Sequence, residues 1–484
     1  MSVASPPRIT RDAHPAASTS RPGILTAKPL RHPDTSDPAI MSRRAWWLVA
    51  GNFLLPGSAQ ILAGNRKLGR FGLGATIVMW VLLIVAVVTG LLWRSVLVTL
   101  ATNWFVLVAA QIVLLAYALL WVVLGIDTIR LTRLVKARPA ARIGVAALAV
   151  VLTVIPAGTA VAASQYVATT RETISAVFGA GPSVPPSDGY YNFLLLGADS
   201  AKGRDHMLFD SISVVSVNAE SGEITITGIP RDMRDVPFSE GPMQELYPEG
   251  HQGLAHPTCG WDNKINQLNT EVGLCRDGEA LYPDAASIGS TPGIEATRDA
   301  AEGVLGIEIP YFVFIDMDGF AALIDALGGV KITVDERLPT GALHENEDGS
   351  LSGITGWIEA GTQQMDGDTA QWYARSRYTT SDWDRMKRQR ELQTAILAQF
   401  TPGNVLANFQ DIAQAGADVV NTDIPDTMIS YLAELALKAK EHEVTTIELT
   451  LENDIDPDNA DFAAIHEMVD AALHPPTPTP TPAG

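Results

Sequence analysis

The sequence predicts an α/β protein in which a central mixed β-sheet, with helices on both faces, follows an N-terminal α-helical transmembrane region. Three observations predict it. Long uncharged apolar runs lie in the first third of the 484 residues. After residue 190, short β-branched runs alternate with helical patterns, which is typical of a sheet covered on both faces. The charge divides similarly, because residues 1–164 carry 16 Lys and Arg against 4 Asp and Glu, whereas residues 165–484 carry 18 against 50.

Composition excludes several classes of protein. With 47% hydrophobic and 18% charged residues, the chain is too apolar to be disordered and low in charge for a soluble protein. The acidic C-terminal part argues against a nucleic-acid partner, since phosphate backbones bind basic surfaces. The sequence contains no Walker loop and no G-x-S-x-G, H-E-x-x-H or G-x-G-x-x-G motif.

Residues 71–93, 104–126 and 143–164 are the predicted membrane-spanning helices. None contains a charged residue, and at about 1.5 Å per residue each crosses the roughly 30 Å hydrocarbon core of a bilayer. Five cations from Arg130 to Arg142 lie between the second and third spans, whereas only Arg94 lies between the first and second. Because positive loops stay inside, we expect a multi-pass protein of the cytoplasmic membrane with everything after residue 164 outside.

Composition also predicts the character of the segments outside the three spans and the C-terminal domain. The apolar stretch 45–63 is interrupted by Pro56-Gly57 and flanked by cations on both sides, so we expect a re-entrant or interfacial hairpin inside a membrane region of residues 44–164. A fourth span there would violate the charge rule at one flank. We interpret residues 1–43 as a disordered cytoplasmic tail, 165–189 as a linker and the Pro/Thr-rich 474–484 as a second disordered tail.

Residues 190–473 form the predicted extracytoplasmic domain. Its predicted strands are residues 191–196, 211–218, 224–228, 311–315, 330–334 and 444–451. Its predicted helices are residues 297–304, 319–327, 382–400, 403–415, 425–439 and 459–473. Cys259 and Cys275 lie near the end of a long Pro/Gly-rich loop. In an oxidising compartment a disulfide is favoured over a metal pair, which would need four ligands, and two free thiols are the alternative.

A cluster of cations stands out in this acidic portion, because six of its 18 basic residues fall within residues 375–390. Arg375 and Arg377 follow a strand-like segment, Gln371-Trp372-Tyr373, so we expect both side chains on one face. Two adjacent guanidiniums repel unless an anion, best a phosphate, lies between them. The pair therefore predicts an anion site.

The helix that follows carries the rest of this cluster. Arg385 and Gln389 are spaced i, i+4 and share one helix face. Lys387 and Arg390 are interpreted as a solvated face that neutralises nearby carboxylates.

Two carboxylates lie beside predicted strand ends. Asp199 follows the first strand and Asp210 precedes the second. Mg²⁺ takes one or two protein carboxylates and completes its coordination with water and phosphate oxygens. Arg231, which follows the third strand, could add a further cation that faces phosphate. Acidic residues are also common in turns, so this pattern alone is a weak signal.

Six segments carry a family resemblance. They are, in chain order, NFLLLGADS, DSISVVSVN, ITGIPRDM, KINQLNTE, YFVFIDMDGFAALIDALGGVKITVD and ARSRYTTSDWDRMKRQRELQTAIL. Together they resemble the signature blocks of the LytR–CpsA–Psr family, over residues 190–400. The R-x-R…D-x-x-R-x-x-R-Q block is the most specific part.

The resemblance implies phosphoryl transfer outside the membrane. Members of the family take a glycopolymer from a polyprenyl-pyrophosphate carrier and attach it to peptidoglycan through a phosphodiester. Carried over by position, Asp199 and Asp210 would hold Mg²⁺, with Mn²⁺ as the alternative ion. The residues that would bind the pyrophosphate are Arg231, Arg375 and Arg377, supported by Arg385, Arg388 and Gln389. The implied partners are the lipid-linked glycopolymer, peptidoglycan and membrane lipid.

Two departures from the family pattern keep other functions open. Leu208 stands where the family commonly has an Arg two residues before the second Asp, and the loss of one charged hydrogen bond costs about 1–3 kcal/mol. Three spans are predicted where many relatives have one. The alternatives are a pyrophosphatase that acts on the same lipid carriers and a weakly catalytic membrane receptor or scaffold that binds lipid-linked intermediates.

Overall fold

The computed structural model describes residues 30–179, 183–198, 208–341, 344–346, 351–376, 381–399 and 420–475. Within these ranges the chain forms two compact units. One comprises the chain up to residue 85 together with 112–164, and the other comprises residues 86–111 together with the chain after residue 164. The predicted helix 403–415 lies outside the described residues.

The described part of the N-terminal region, from residue 30 onward, contains six α-helices: α1 (Pro38–Leu54), α2 (Ser58–Ala63), α3 (Arg66–Leu92), α4 (Arg94–Thr102), α5 (Trp104–Thr132) and α6 (Pro139–Val177). Among the described residues, three helical stretches are long and apolar enough to cross a membrane: Arg66–Leu92, Trp104–Lys136 and Pro139–Ile174. They cover the three predicted spans, except for Trp93 at the end of the first.

Two predicted boundaries in this region differ from the structure. Helix α1 begins at Pro38, inside the predicted tail, because the Asp37 side chain accepts a hydrogen bond from the Ala39 N–H and Pro38 suits the first helical position. Helix α6 continues to Val177, through half of the predicted linker. No Gly or Pro lies between residues 165 and 177 to stop it.

The apolar stretch 45–63 is broken between α1 and α2. Gly57 adopts a φ of +95°, and a Cβ at this position would lie 2.4 Å from the Gly69 carbonyl oxygen. The buried Gln60 side chain donates from Nε2 to the Leu124 carbonyl and to Thr128 Oγ1, each at 3.0 Å. The turn at Gly57 therefore reverses the chain, and Gln60 holds α2 against α5.

A six-stranded mixed sheet forms the centre of the C-terminal domain. Its strands are β1 (Tyr190–Ala198), β2 (Phe209–Asn218), β3 (Ile224–Ile229), β4 (Tyr311–Asp316), β11 (Val420–Thr422) and β12 (Thr445–Glu448). The spatial order is β11-β4-β1-β2-β3-β12. Strand β1 pairs parallel with β4, and β3 pairs parallel with β12, while the other neighbours are antiparallel. The predicted fold class is confirmed.

Side chains that alternate along the strands form a core on each face of this sheet. On one face, Leu194 and Leu196 pack with α10 (Pro292–Leu305) and α15 (Phe462–Leu473). On the other, Tyr191 and Phe193 pack with α14 (Ile429–Ala439). Helices thus cover both faces. Three short helices lie before α10: α7 (Pro242–Leu246), α8 (Leu268–Thr270) and α9 (Gly278–Leu281).

A smaller core lies beside the main sheet. Helices α11 (Met317–Ala326), α12 (Gly367–Arg375) and α13 (Asp382–Gln399) pack there against short strands. These strands are β5 (Val330–Val334), β6 (Leu338–Thr340), β9 (Gly356–Ile358) and β10 (Gly361–Met365). Strands β7 (His344–Glu345) and β8 (Leu351–Ser352) form a separate pair. This subdomain carries the basic cluster.

Candidate active site

The candidate site begins where β2 starts and β3 ends. The two strands are antiparallel, with Ile212 opposite Ile229. The residues just beyond this pair therefore meet at one end of the two strands, which is called the sheet edge below. There Arg231 Nη1 donates to Asp210 Oδ1. The side chains remain 24% and 34% exposed, respectively. The structure therefore brings together two predicted site residues in an ion pair that solvent reaches.

The first predicted carboxylate and one predicted cation are not placed. Asp199 and Arg377 lie outside the described residues. Strand β1 ends at Ala198, which lies opposite Phe209 after a register shift at Gly197. The described end of β1 is thus beside the start of β2, next to Asp210.

Arg375 lies on a helix, so its predicted placement after a strand is wrong. It is the last residue of α12, which starts where the Asp366 side chain accepts a hydrogen bond from the Thr369 N–H. This Asp at the N-cap position was the sequence signal that distinguishes a helix from a strand here. The Arg375 side chain is exposed, with its guanidinium carbon 5.8 Å from the Trp372 ring centre.

Two predicted supporting residues hold the end of α12. Arg388 Nε donates to the Tyr373 carbonyl at 3.0 Å, and Nη2 donates to the Ser376 carbonyl. Gln389 Nε2 donates to the Ala374 carbonyl at 3.4 Å. The last carbonyls of a helix have no partner within it, and a cation is favourable there. Arg388 and Gln389 therefore fix the turn that presents Arg375.

The other cations of the cluster separate into buried and exposed ones. Arg385 is 4% exposed and Arg388 is 7% exposed, and burial lowers the pKa of Arg388. Lys387 is exposed and lies 3.6 Å from Asp335 and 3.7 Å from Glu391, which agrees with the predicted solvated face.

For Arg390 the prediction of a solvated position is wrong. Its side chain is almost fully buried and forms an ion pair with Glu448 of β12. Burial lowers the pKa of Arg390 and raises the pKa of Glu448, while their mutual attraction opposes both shifts. The head group of Arg390 lies so close to Gly228 that a Cβ there would be 2.4 Å from Nη1. Glu448 lies 58 residues further along the chain, so local sequence patterns gave no sign of this pair.

Helix α13 contacts the β2–β3 hairpin, which carries the Asp210–Arg231 pair. Gln393 Nε2 donates to Ser213 Oγ at 3.0 Å, and Arg390 covers Gly228. These contacts lie three residues from Asp210 and Arg231 respectively, which corresponds to about 10 Å along each strand. The helix therefore crosses the same hairpin that carries the ion pair.

A buried network that the sequence analysis missed lies under the loop after β3. Glu271 and His251 are both fully buried and join through a 2.7 Å hydrogen bond. Glu271 also accepts from Tyr247 at 2.6 Å and from Arg276. Burial alone would raise the pKa of Glu271, but these hydrogen bonds outweigh it and lower that pKa. Burial, together with Glu271, raises the pKa of Tyr247 to about 12.

Cys259 and Cys275 form a disulfide bond, as the sequence favoured, with their Cα atoms 5.6 Å apart. The bridge joins the long loop to the segment that contains Glu271. That segment also meets the site, because the Asn266 N–H donates to the Arg231 carbonyl at 3.2 Å. The network and the disulfide thus stabilise the segment that hydrogen-bonds to the backbone of Arg231.

A mixed sheet thus carries an acid and an arginine as an ion pair, and a helix with several basic residues crosses the hairpin that holds them. The model of the LytR_cpsA_psr family matches residues 152–472. The chain belongs to the LytR–CpsA–Psr family.

Named relatives share part of this chain. Biofilm regulatory protein A of Streptococcus mutans is 27% identical over 252 residues, which is 51% of this chain and 53% of that protein. Polyisoprenyl-teichoic acid–peptidoglycan teichoic acid transferase TagU of Halalkalibacterium halodurans is 28% identical over 229 residues, which is 47% of this chain and 57% of that protein. The chain thus spans about half the length of these relatives. The crystal structure of B. subtilis TagV, 20% identical, aligns with 59% of this chain and 98% of its own at a TM-score of 0.40.

Proposed function

We propose that this protein transfers a glycopolymer from a polyprenyl-pyrophosphate carrier to peptidoglycan, through a phosphodiester bond, outside the cytoplasmic membrane. The observation that supports this proposal best is the solvent-accessible Asp210–Arg231 pair, crossed by a helix whose partner residues hold Arg375 in place. Membership of the family and the name of the TagU relative point to the same reaction.

In the proposed reaction, Arg231, Arg375 and Arg377 bind the oxygens of the diphosphate. An acceptor hydroxyl attacks the phosphorus nearest the sugar, a new P–O bond forms, and polyprenyl phosphate leaves with the electrons of the bridging bond while the hydroxyl proton is released. Fixed guanidiniums neutralise the charge that spreads over the transferring phosphorus. Arg385, Arg388 and Gln389 position this arrangement from α13.

A carboxylate at the sheet edge supports magnesium as the proposed cofactor. Asp210, whose Oδ1 accepts a hydrogen bond from Arg231, offers oxygen ligands of the type that Mg²⁺ prefers. We propose Asp210 and Asp199 as the protein ligands, with Mn²⁺ as the alternative ion. When bound, the ion would neutralise phosphate charge.

The membrane arrangement is also a proposal. Helix α4 joins the first two proposed spans and packs against α14 of the C-terminal domain. A loop and a domain in contact lie on the same side of a bilayer, so this contact supports a multi-pass protein with α4 and the domain on one side, and the distribution of cations supports the outside. Cysteine labelling from outside intact cells tests it, because a residue in α14 should react and one at position 135 should not.

One reconstitution distinguishes the proposed function from its alternatives. Full-length protein in lipid nanodiscs is given a polyprenyl-pyrophosphate sugar, a soluble muropeptide acceptor and Mg²⁺. Sugar phosphate joined to the muropeptide supports the transferase. Release of free sugar phosphate instead supports a pyrophosphatase, and binding without turnover supports a receptor. Omission of Mg²⁺ should stop transfer, and full activity in excess chelator would contradict the metal proposal.

A further inference from the structure

A cavity of about 560 Å³ lies at one end of the membrane region, where α1 begins and where α6 follows α5. This volume is within the range of pockets that hold small molecules. The lining residues come from two segments of the chain, within residues 35–39 and 135–142. In the membrane arrangement proposed above this end is cytoplasmic, because it carries the loop between the second and third spans.

Positive charge predominates in the lining of this cavity. Lys136, Arg138 and Arg142 line it and are exposed, against one carboxylate among the described lining residues, that of Asp37. Asp37 already accepts a hydrogen bond from the Ala39 N–H at 2.7 Å. In the described part of the chain, none of the three cations forms a salt bridge. Like charges around one cavity repel, and a phosphate that lies between them removes this repulsion.

The walls of the cavity are held together by hydrogen bonds. The Arg138 N–H donates to Ser42 Oγ at 3.0 Å, and the same hydroxyl donates to the Pro38 carbonyl at 2.7 Å. These bonds join the first turn of α1 to the residue that precedes α6. The buried Arg44 of α1 donates from Nη1 to the Leu131 carbonyl of α5 at 2.7 Å. The cavity is therefore preorganised, which reduces the entropy cost of binding.

Apolar side chains are exposed beside the cations. Val135, which lines the cavity, is 82% exposed and Ile143 is 77% exposed, and each adjoins a cation of the cavity in the chain. The half-exposed ring of Trp46 lies next to the first turns of α6, where a Cβ on Gly144 would be 3.3 Å from it. Cations and aromatic rings beside exposed apolar residues are typical of the boundary between headgroups and hydrocarbon. A soluble phosphate would leave these apolar side chains in water, whereas the acyl chains of a lipid would cover them.

We propose that this cavity binds the phosphate of an anionic phospholipid headgroup in the cytoplasmic leaflet. Basic pockets between membrane helices on this side suit such headgroups. The phosphate oxygens accept hydrogen bonds from Lys136, Arg138 and Arg142, and the acyl chains lie against Val135 and Ile143. A bound lipid would fix the start of α1 and the α5–α6 loop to the membrane surface. The sheet edge of the C-terminal domain takes no part, so the proposal is separate from the transfer reaction.

Native mass spectrometry of the full-length protein in a neutral detergent tests the proposal. The protein is titrated with phosphatidylglycerol and, separately, with phosphatidylcholine, whose headgroup has no net charge. The wild type should bind the first phosphatidylglycerol about 10-fold more tightly than phosphatidylcholine. Lys136→Gln/Arg138→Gln removes two cations and keeps the bond from the Arg138 backbone to Ser42. This variant should lose about 10-fold in affinity for phosphatidylglycerol and little for phosphatidylcholine.

The matched control is the double variant Arg66→Gln/Lys67→Gln. It also removes one Arg and one Lys, both of them exposed at the start of α3 and outside the cavity. Its affinity for phosphatidylglycerol should stay within about two-fold of the wild type, because exposed charges away from the site are screened. Thermal unfolding shows that each variant is folded. Equal losses in the two double variants, or a wild type without preference for phosphatidylglycerol, would overturn the proposal.

A free phosphate is the other source of the same chemistry, and competition distinguishes the two. Inorganic phosphate or glycerol phosphate in large excess should leave the bound phosphatidylglycerol in place, because neither covers the apolar side chains. Full displacement by either one would assign a soluble phosphate to the cavity and refute the lipid. These measurements use no lipid-linked sugar and no acceptor, so their failure would leave the proposed transfer reaction standing.

Discussion

Arg375 and Lys387 are both exposed cations of the basic cluster, but their surroundings differ. Arg375 lies at the end of α12, held there by Arg388, whereas Lys387 faces two carboxylates. Arg375→Ala should lower the transfer rate by about 100-fold or more, because it removes a residue that we propose binds the diphosphate. Lys387→Ala should change the rate less than about two-fold, since exposed ion pairs contribute little. Rates in nanodiscs and unfolding temperatures of both variants provide the measurement. Equal activity of the two would contradict the role of Arg375.

The buried pair of Arg390 and Glu448 gives a prediction about stability. Arg390→Met leaves the Glu448 carboxylate buried without its partner, and we expect a loss of about 3 kcal/mol in the free energy of unfolding. The double variant with Glu448→Met should regain most of that loss, because two apolar side chains then replace the two charges. Denaturant unfolding of the two variants tests the pair. A double variant no more stable than Arg390→Met would refute this explanation.

Asp299 gives the domain a dependence on pH. Burial raises the pKa of its carboxyl to about 7, although Tyr282 donates a 2.5 Å hydrogen bond to it. The folded protein therefore retains a proton that the unfolded chain loses above about pH 4. Stability should fall as pH rises from about 4 to 7 and level off above.

Asp299→Asn tests this dependence, because the amide oxygen still accepts from Tyr282 and does not titrate. Near pH 4 the variant and the wild type should be similarly stable, and at pH 8 the variant should be more stable by about 1–3 kcal/mol. Unfolding curves at these two pH values decide the matter. A constant difference between the two proteins at both values would rule out titration of Asp299.

Among the elements, those that the sequence predicted best carry a strong local signal. Strand β5 is found as predicted at Val330–Val334, and α13 starts at Asp382 as predicted. Helix α12 was not predicted, because the aromatic pair Trp372-Tyr373 is typical of a strand, while Asp366 at the N-cap is typical of a helix start. The local sequence thus predicts a helix or strand correctly when its hydrophobic periodicity and its capping residues agree. Where the two conflict, the prediction is wrong.

The end of α12 gives a prediction at this scale. Arg388→Lys replaces a guanidinium that reaches two carbonyls by an ammonium that lacks the fork geometry. We expect about tenfold slower transfer and a loss of about 1–2 kcal/mol in stability, with Arg388→Ala worse in both respects. Gln389→Ala should have a smaller effect, because its bond is longer. Identical kinetics for all three variants and the wild type would mean that α12 needs no support from α13.

For the molecule as a whole, removal of the disulfide should have the clearest effect on the free energy of unfolding. It closes a loop with a sequence separation of 16 residues, and a loop of that size constrains the unfolded chain by about 3 kcal/mol. The double variant Cys259→Ser/Cys275→Ser should lose about that much stability. The single-serine variants are the controls for side-chain chemistry. Unchanged unfolding of the double variant would show that the bridge is dispensable.

The site was predictable in its residue types and less so in its geometry. Asp210 and Arg231 could be paired from sequence, because a hairpin with a short turn fixes which residues face each other. Arg390 and Glu271 could not be placed, since their partners, Glu448 and His251, are brought to them by the tertiary fold. Long-range pairs of this kind leave no periodic trace in the chain.

The partnership of Arg390 with Glu448 has a consequence for biogenesis. Strand β3 acquires its outer neighbour, Thr445–Glu448, more than 200 residues after its own synthesis. For a polypeptide exported N-terminus first, as proposed here, that neighbour emerges from the translocation channel near the end of secretion. Until then Arg390 lacks its counter-ion and one sheet edge stays open to aggregation. With the export proposed here, we expect α13 to reach its final contacts only after translocation is nearly complete.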